Sequence, residues 1–242
     1  MIPLRDLNPT RSFPALTYLL IAANTLVFLH QVSLGDAAGE LFVRRYGMVP
    51  AYLAVTHHPG SLITPFTSMF MHGGWLHLIG NMWSLYIFGD NVEDVLGKVR
   101  FALFYVLCGL GAALAQILID PSSTMPMVGA SGAIAGVLGA YFKLFPRARV
   151  VTLIPVFIFF VTRELPAWFF IILWFALNVL SGVGSLADGA QGGIAFFAHI
   201  GGFIAGFWLI MLMRKQYNPT RGFAPRGPYH RTPLGRAKSW HL

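Results

Sequence analysis

The hydrophobic positions of the chain fall into long, nearly uncharged runs that are separated by short polar segments. A helix needs about 20 largely apolar residues to cross roughly 30 Å of hydrocarbon, so such runs predict membrane-spanning helices. We identify six runs, of which the fourth is short: Ser12 to Gly35, Trp75 to Gly89 with an apolar continuation towards Leu96, Phe101 to Ile119, Ser131 to Phe142, Leu165 to Ala187 and Gly189 to Met213. The pattern therefore predicts an all-α polytopic membrane protein built as a six-helix bundle.

One further apolar segment, Val150 to Thr162, is short and is interrupted by Pro155. We interpret it as an interfacial or re-entrant segment, because a proline removes a backbone donor and the length falls below that of a span. A seventh crossing at this point would reverse the orientation of every later helix.

Composition and charge agree with a membrane class. Of 242 residues, 56% are hydrophobic and 11% are charged, against about 25% charged in a typical soluble domain. The net charge of +8 is explained by the positive-inside rule. With the N-terminus in the cytoplasm, 15 of the 17 Lys and Arg residues fall on the cytoplasmic side. Both termini are therefore predicted to be cytoplasmic, and no nucleic-acid partner is needed to account for the basic charge.

The chain divides into three parts on this interpretation. Residues 1–13 form a cytoplasmic N-terminus, residues 14–213 form the six-span domain, and residues 214–242 form a basic tail. The tail is rich in Arg, Pro and Gly and has no apolar period, which predicts disorder close to anionic lipid. The glycine-rich connection at 181–193 is predicted to be mobile and to act as a lid. We expect a multi-pass integral membrane protein, placed in the plasma (inner) membrane if the source is prokaryotic.

Four polar residues stand out within the apolar runs, and each costs free energy in a membrane unless it is paired. His77 and Asn81 are four residues apart and share one helix face, which suits two donors aimed at one point. The alternative is that His77 and Asn81 only form structural hydrogen bonds between helices. Ser131 begins its run after Gly129 and Ala130, as either a helix cap or a nucleophile at the positive helix end. A serine nucleophile needs an adjacent base, and His199 is the histidine available in the sixth run.

Depth and packing favour a pairing of the serine with the histidine. At 1.5 Å per residue, Ser131 and His199 each lie about 9 Å below the outer surface. Their runs also carry small residues every four positions, which lets helix backbones touch: Gly132, Gly136 and Ala140 in one, and Ala198, Gly202 and Gly206 in the other. Together these features indicate a catalytic pair rather than separate structural residues.

Three motifs, in order along residues 14–213, resemble those of the rhomboid family of intramembrane serine proteases. They are Trp75-Leu-His-Leu-Ile-Gly-Asn-Met82 with Phe88-Gly-x-x-Val-Glu93, Gly129-Ala-Ser-Gly-Ala-Ile-Ala-Gly136, and Ala198-His-Ile-Gly-Gly202. The resemblance implies a six-helix core that cleaves transmembrane segments of membrane-protein substrates, with no cofactor, no metal and no third catalytic acid.

The resemblance also implies roles for individual residues. Ser131 would be the nucleophile and His199 the general base. His77, Asn81 and the backbone N–H of Ser131 would hold the oxyanion. A supporting role would fall to His72, which resembles a further histidine of the family's second-helix run, and to the glycines that flank Ala130-Ser131, namely Gly129 and Gly132.

The chain departs from the family pattern at two places. The first loop has Phe42-Val-Arg44-Arg45 where many members carry Trp-Arg, so we expect that loop to be anchored differently. Ala135 stands where some members place a tyrosine that stacks on the histidine. The support of the His199 ring is therefore left open by the sequence.

Rival functions meet specific objections. A transporter or channel predicts charged or carbonyl-lined spans and often repeated halves, and neither is found. A metalloprotease needs a ligand set such as His-Glu-x-x-His, whereas Leu78 follows His77. An aspartyl protease needs two Asp residues inside spans, whereas Asp90 and Asp94 lie near a span end. An inactive rhomboid-like binding or chaperone factor stays open as the alternative, although such a factor would typically have lost the serine or the histidine.

Overall fold

A computed structural model describes residues 2–56, 59–157, 159–187 and 196–214. Within these ranges the helices are α1 (Ala15–Ser33), α2 (Gly35–Tyr46), α3 (Pro50–Ala54), α4 (Thr64–Thr67), α5 (Trp75–Leu96), α6 (Lys98–Ile119), α7 (Ser131–Leu144), α8 (Ala167–Ala187) and α9 (Phe196–Met213). Two short 3₁₀ turns cover Pro59–Ser61 and Ser68–Phe70. The strands are β1 (Ile2–Asp6), β2 (Arg149–Val156) and β3 (Phe159–Pro166).

The six apolar runs correspond to helices α1, α5, α6, α7, α8 and α9. Among the described helices, α1, α6 and α9 are long and apolar enough to cross a membrane by length and composition. Helix α7 and the first part of α8, Ala167–Leu180, are shorter apolar helices. Several leucines on these helices are largely exposed, for example Leu118 at 71% and Leu212 at 81%. Such surfaces suit contact with lipid and not with water.

Helices α6, α7 and α9 pack against each other with their backbones in contact. A methyl group added at Gly202 of α9 would overlap the carbonyl oxygen of Gly132 in α7, and one added at Gly206 would overlap the carbonyl oxygen of Gly136. The predicted small-residue series on the fourth and sixth runs therefore face each other. Dispersion contacts at such short range hold helices together where lipid is as apolar as the helices themselves.

Strand pairing corrects the prediction of an all-α fold. Strand β2 pairs antiparallel with β1 on one side, Ile2 opposite Leu153, and with β3 on the other, Val150 opposite Leu165. The segment Val150–Thr162 is thus most of a β-hairpin, a strand pairing that the prediction did not include, and its interfacial or re-entrant position in the membrane stays a prediction. Val, Ile, Thr and Phe dominate it, and these residues favour a pleated backbone whose hydrogen bonds a paired strand can satisfy.

The start of α1 is fastened to the end of α5 by a buried carboxylate. Glu93 is 1% exposed, and it accepts hydrogen bonds from the backbone N–H groups of Leu16 and Thr17 and from the Thr17 hydroxyl, at 2.7 to 3.0 Å. The first turn of a helix carries unpaired N–H groups and a partial positive charge. Glu93 accepts from those N–H groups and places a negative charge beside the positive helix end, which explains why this acidic residue is buried between α1 and α5.

Two predicted segments lie wholly or partly outside the described residues. The glycine-rich connection at 181–193 is described as helix up to Ala187, and its predicted role as a lid falls on residues beyond that point. The basic tail at 214–242 is described only at Arg214. The loop that departs from the family's Trp-Arg pattern lies in α2, where Arg44 pairs with Glu40 at 2.8 Å.

Candidate active site

Ser131 is the first residue of α7, and the backbone before it is shaped by Gly129. The φ angle of Gly129 is +131°, a conformation that L side chains rarely adopt. Its N–H donates to the carbonyl oxygen of Ser68 at 2.9 Å. A methyl group at Gly129 would also lie 2.8 Å from Cε1 of His77. Glycine is therefore required at position 129 for two reasons, its backbone conformation and the closeness of His77. The turn at Gly129 presents the Ser131 side chain at the positive end of a helix.

The serine meets the histidine of the sixth run. Oγ of Ser131 lies 2.7 Å from Nε2 of His199, which is hydrogen-bonding distance for this pair. His199 stands in the first turn of the described part of α9, and the glycine contacts with α7 bring that helix close enough. Gly132 contributes to this approach, because a methyl group there would overlap Cβ of Ala112 and come within 3.9 Å of the Ala198 carbonyl oxygen.

His77 directs a ring nitrogen at the turn that carries the serine. Its Nδ1 accepts a hydrogen bond from the backbone N–H of Gly73 at 3.3 Å. A neutral imidazole has one donor and one acceptor, so Nε2 of His77 carries the hydrogen. A methyl group at Gly129 would lie 2.9 Å from that Nε2 and 3.4 Å from Oγ of Ser131. The Nε2–H donor and the serine oxygen therefore border the same small space.

Asn81 lies one turn further along α5, on the same face as His77. It is 8% exposed, and its Nδ2 makes no hydrogen bond within the described part of the chain. A buried amide donor without a partner is costly, at about 1–3 kcal/mol. Asn81 is one of the residues that line a cavity.

The cavity has a volume of about 1070 Å³ and contains all the main predicted residues. Its wall includes His77, Asn81, Gly129, Ser131 and His199, together with apolar residues of α5, α7 and α8. This volume is large enough for several residues of an extended peptide together with water. Among the described residues, no three His, Cys, Asp or Glu side chains are grouped as a metal site would require.

His72 lies behind the site and not on the cavity wall. It is fully buried, and its ring centroid is 5.2 Å from that of His77 in an edge-on arrangement. Gln31 donates to the His72 carbonyl oxygen at 2.8 Å. His72 thus packs against a residue that faces the serine, an arrangement that fits the supporting role expected from the sequence.

Two neighbours of His199 were missed by the sequence analysis. Trp174 has its ring centroid 5.6 Å from that of His199, at an interplanar angle of 42°, and Oδ1 of Asn178 lies 2.6 Å from Nδ1 of His199. Both belong to α8 and support the ring where Ala135 cannot. Asn178 could have been noticed, because it is an amide inside an otherwise apolar run, by the same reasoning that selected Asn81.

Comparison with known proteins identifies the family to which the chain belongs. Residues 59–216, well over half of the chain, match the model of the Rhomboid domain. The chain belongs to the rhomboid family. Members of this family are integral membrane proteins, in agreement with the apolar helices described above.

Several curated relatives share this rhomboid domain. RHOMBOID-like protein 5 of Arabidopsis thaliana is 35% identical over 151 residues, which are 62% of this chain and 44% of that protein. Rhomboid protease GluP of Bacillus subtilis (strain 168) is 35% identical over 128 residues, which are 52% of this chain and 24% of that protein. This rhomboid chain therefore spans less than half the length of these relatives.

Proposed function

We propose that this rhomboid protein is an intramembrane serine endopeptidase, which hydrolyses peptide bonds in or near transmembrane segments of membrane-protein substrates. One observation carries the proposal: Oγ of Ser131 lies 2.7 Å from Nε2 of His199 at the wall of a cavity of about 1070 Å³. A hydroxyl paired with an imidazole in an accessible space is the arrangement that activates a serine nucleophile. The similarity to a rhomboid protease of Bacillus subtilis supports it.

The reaction begins with proton transfer to the histidine. Nε2 of His199 takes the hydroxyl proton of Ser131 as Oγ forms a bond to the carbonyl carbon of the substrate. The carbonyl oxygen becomes an oxyanion. When the C–N bond breaks, His199 gives its proton to the leaving amine, and the acyl group stays on Ser131 as an ester. A water molecule then attacks the ester, with His199 taking its proton and returning it to Oγ.

The oxyanion is stabilised by donors that border the serine. We assign this role to Nε2–H of His77, to Nδ2 of Asn81 and to the backbone N–H of Ser131, which as the first residue of α7 has no carbonyl partner inside that helix. The donor of Asn81 is buried and has no partner among the described residues. A donor that finds its acceptor only when charge develops favours the transition state over the ground state.

The substrate approaches within the membrane. A transmembrane helix hides its peptide groups in its own hydrogen bonds, so a segment must unwind before Ser131 reaches a carbonyl. We therefore expect substrates with helix-weakening Gly or Pro residues near the outer face. The proposal includes six spans with both termini in the cytoplasm, which the distribution of Lys and Arg favours.

The decisive experiment compares matched variants of the purified, reconstituted protein. Ser131→Ala and His199→Ala should each abolish cleavage of a transmembrane reporter and labelling by a fluorophosphonate probe. The double variant should be about as inactive as either single variant, because the two residues act as a unit. Ser33→Ala and His30→Ala are the controls, since Ser33 bonds only the His30 carbonyl oxygen in the described structure. Both controls should keep wild-type turnover.

The same experiment separates the protease from the alternative. Retained cleavage by purified Ser131→Ala would exclude Ser131 as the nucleophile. If the wild-type protein neither cleaves a range of reporters nor reacts with the probe, yet co-purifies with them, the chain is a rhomboid-like binding factor.

Topology is tested separately. Single cysteines introduced at Ser122 and His230 in a Cys108→Ser background should be labelled from opposite sides of the membrane, with position 122 outside. External labelling at position 230 would contradict the count of six spans.

A further inference from the structure

The imidazole of His199 is held from α8 at the nitrogen that does not face the serine. Nδ1 of His199 lies 2.6 Å from Oδ1 of Asn178, while Nε2 lies 2.7 Å from Oγ of Ser131. The ring of Trp174 lies beside the imidazole, with centroids 5.6 Å apart. Trp174 and Asn178 are four residues apart and so share one face of α8. The His199 ring is therefore contacted at Nδ1 by Asn178, at Nε2 by Ser131 and beside the ring by Trp174.

The second hydrogen bond of Asn178 determines which atom of its amide faces the histidine. Nδ2 donates to the backbone carbonyl oxygen of Trp174 at 2.8 Å. A carbonyl oxygen can only accept, so the amide nitrogen must point at it and Oδ1 must point at His199. Reversing the amide would place two acceptors against each other at one end.

The orientation of the amide in turn fixes the proton on the imidazole. Oδ1 of Asn178 can only accept, so Nδ1 of His199 must be the ring nitrogen that carries the hydrogen. Nε2 then holds a free lone pair, and it faces the Ser131 hydroxyl. This is the tautomer that a general base needs, since the opposite one would present a hydrogen to the serine.

We propose that Asn178 is a positioning residue that holds His199 in the Nδ1–H tautomer and aims its Nε2 at Ser131. The proposal rests on the function proposed for Ser131 and His199 and adds a third member to that pair. The Asn178 oxygen also stabilises the imidazolium that forms when His199 takes the serine proton. Asn178 is not among the described residues that line the cavity, and its hydrogen bonds go to His199 and Trp174 and not to Ser131, so it acts through His199.

An amide suits this position better than a carboxylate. Helix α8 contains no charged residue, and Asn178 is 8% exposed. An ionised side chain inside an apolar helix is costly, whereas an amide supplies the same acceptor without a charge. Its amide nitrogen donates one hydrogen bond within the helix, to the Trp174 carbonyl oxygen.

The tautomer can be read directly, without any measurement of activity. Nitrogen-15 NMR of the histidine-labelled full-length protein in detergent distinguishes a protonated ring nitrogen from a bare one. Comparison with His199→Ala assigns one ring among the eight histidines. We expect the wild-type His199 to carry its hydrogen on Nδ1, and Asn178→Leu to give a mixture of tautomers. A wild-type ring protonated on Nε2, or an unchanged ring in Asn178→Leu, would overturn the proposal.

Kinetics supply the second readout. Asn178→Leu should lower kcat about 10- to 100-fold, which is part of the 10²–10⁴-fold that general base catalysis contributes, and should leave KM within about twofold. Asn178→Asp keeps the acceptor and should recover most of kcat. It should also move the acidic limb of the pH profile, because a carboxylate favours the protonated imidazole.

Asn24→Leu is the matched control. Nδ2 of Asn24 donates to the carbonyl oxygen of Leu20 at 2.8 Å, which is the same local bond, but on α1. Equal losses of kcat in Asn24→Leu and Asn178→Leu would mean a merely structural role. The two proposals fail separately: if Ser131→Ala stays active while the Nδ1–H tautomer is found and depends on Asn178, the protease assignment fails and the positioning role stands.

Discussion

Two regions of this rhomboid protein are assembled by different means. The Ser131 region comprises Ser131, His199, His77 and Asn81. Ser131 and His199 stand on helices α7 and α9, whose backbones touch at glycines. The sheet region comprises strands β1 to β3 together with Glu93, and it is joined by strand pairing and by a buried carboxylate. The first arrangement fixes the distances between side chains to within hydrogen-bonding range, as catalysis requires. The second ties the termini of elements together, as stability requires.

The comparison predicts that changes in the Ser131 region act on turnover and that changes in the sheet region act on stability. Asn81→Ala should lower kcat by about 10²–10³-fold, or about 2.7–4 kcal/mol of barrier, because one oxyanion donor is lost. Labelling by a fluorophosphonate should persist, since Ser131 and His199 are untouched. Asn91→Ala is the control on the same helix, where the side chain bonds Asn8 instead. Equal turnover in Asn81→Ala and wild type would remove Asn81 from the site.

Gly202→Ala tests whether backbone contact sets the Ser131–His199 distance. Its methyl group would overlap the Gly132 carbonyl oxygen, and backbone cannot move aside as a side chain can. We expect a loss of about 1–3 kcal/mol of stability, measured by unfolding in detergent, together with loss of cleavage. Gly80→Ala is the control, since a methyl group there meets nothing within 4 Å. If Gly202→Ala kept both properties, the close packing of α7 and α9 would be wrong.

Glu93→Ala should lower stability and leave turnover nearly unchanged, the reverse of what we expect for Asn81→Ala. It leaves the N–H groups of Leu16 and Thr17 without their acceptor, at a cost of about 1–3 kcal/mol of unfolding free energy. Turnover of the protein that stays folded should remain within about twofold of wild type. Glu40→Ala, which breaks an exposed pair with Arg44, should cost about 0.3–0.5 kcal/mol. A loss of turnover in folded Glu93→Ala would show that the two regions are coupled.

The smallest effect concerns Asp6, whose carboxylate accepts from the Tyr141 hydroxyl at 2.7 Å. Burial raises the pKa of Asp6 above its ordinary 3.8, against the lowering effect of that hydrogen bond. The folded protein then binds a proton more tightly than the unfolded chain does, so stability falls as the pH rises from 3.8 through the folded pKa. Asp6→Asn lacks this ionisation and should become more stable relative to wild type over that window.

The measurement is unfolding in detergent at about pH 4 and about pH 7. Asp36→Asn, on the exposed surface of α2, should follow the wild type at both values. If the difference in unfolding free energy between Asp6→Asn and wild type were the same at both pH values, the pKa of Asp6 would be equal in the folded and unfolded chains.

The Ser131 region was largely accessible from the sequence. Polar residues are rare in apolar runs because each must be paired, so Ser131, His199, His77 and Asn81 stood out individually. Small residues at every fourth position also indicated which helices touch. Asn178 is an amide in an apolar run and was accessible by the same reasoning, but its contact with His199 was not. A hydrogen bond that fixes an imidazole tautomer can be recognised only when the position of its partner is known, and the periodicity of the sequence does not give that position.

The sheet region was not accessible in the same way. Hydropathy alone determined that the protein lies in a membrane and where its helices run. An apolar run in lipid must form its backbone hydrogen bonds within itself, because lipid offers no partners. Strand pairing is different, since Ile2 finds its partner at Leu153, far along the chain. The tertiary structure decided that register, the bond between Glu93 and α1, and the contact of Asn178 with His199. Each of these joins groups that are remote in sequence, and only the packing of the helices brings them within bonding distance.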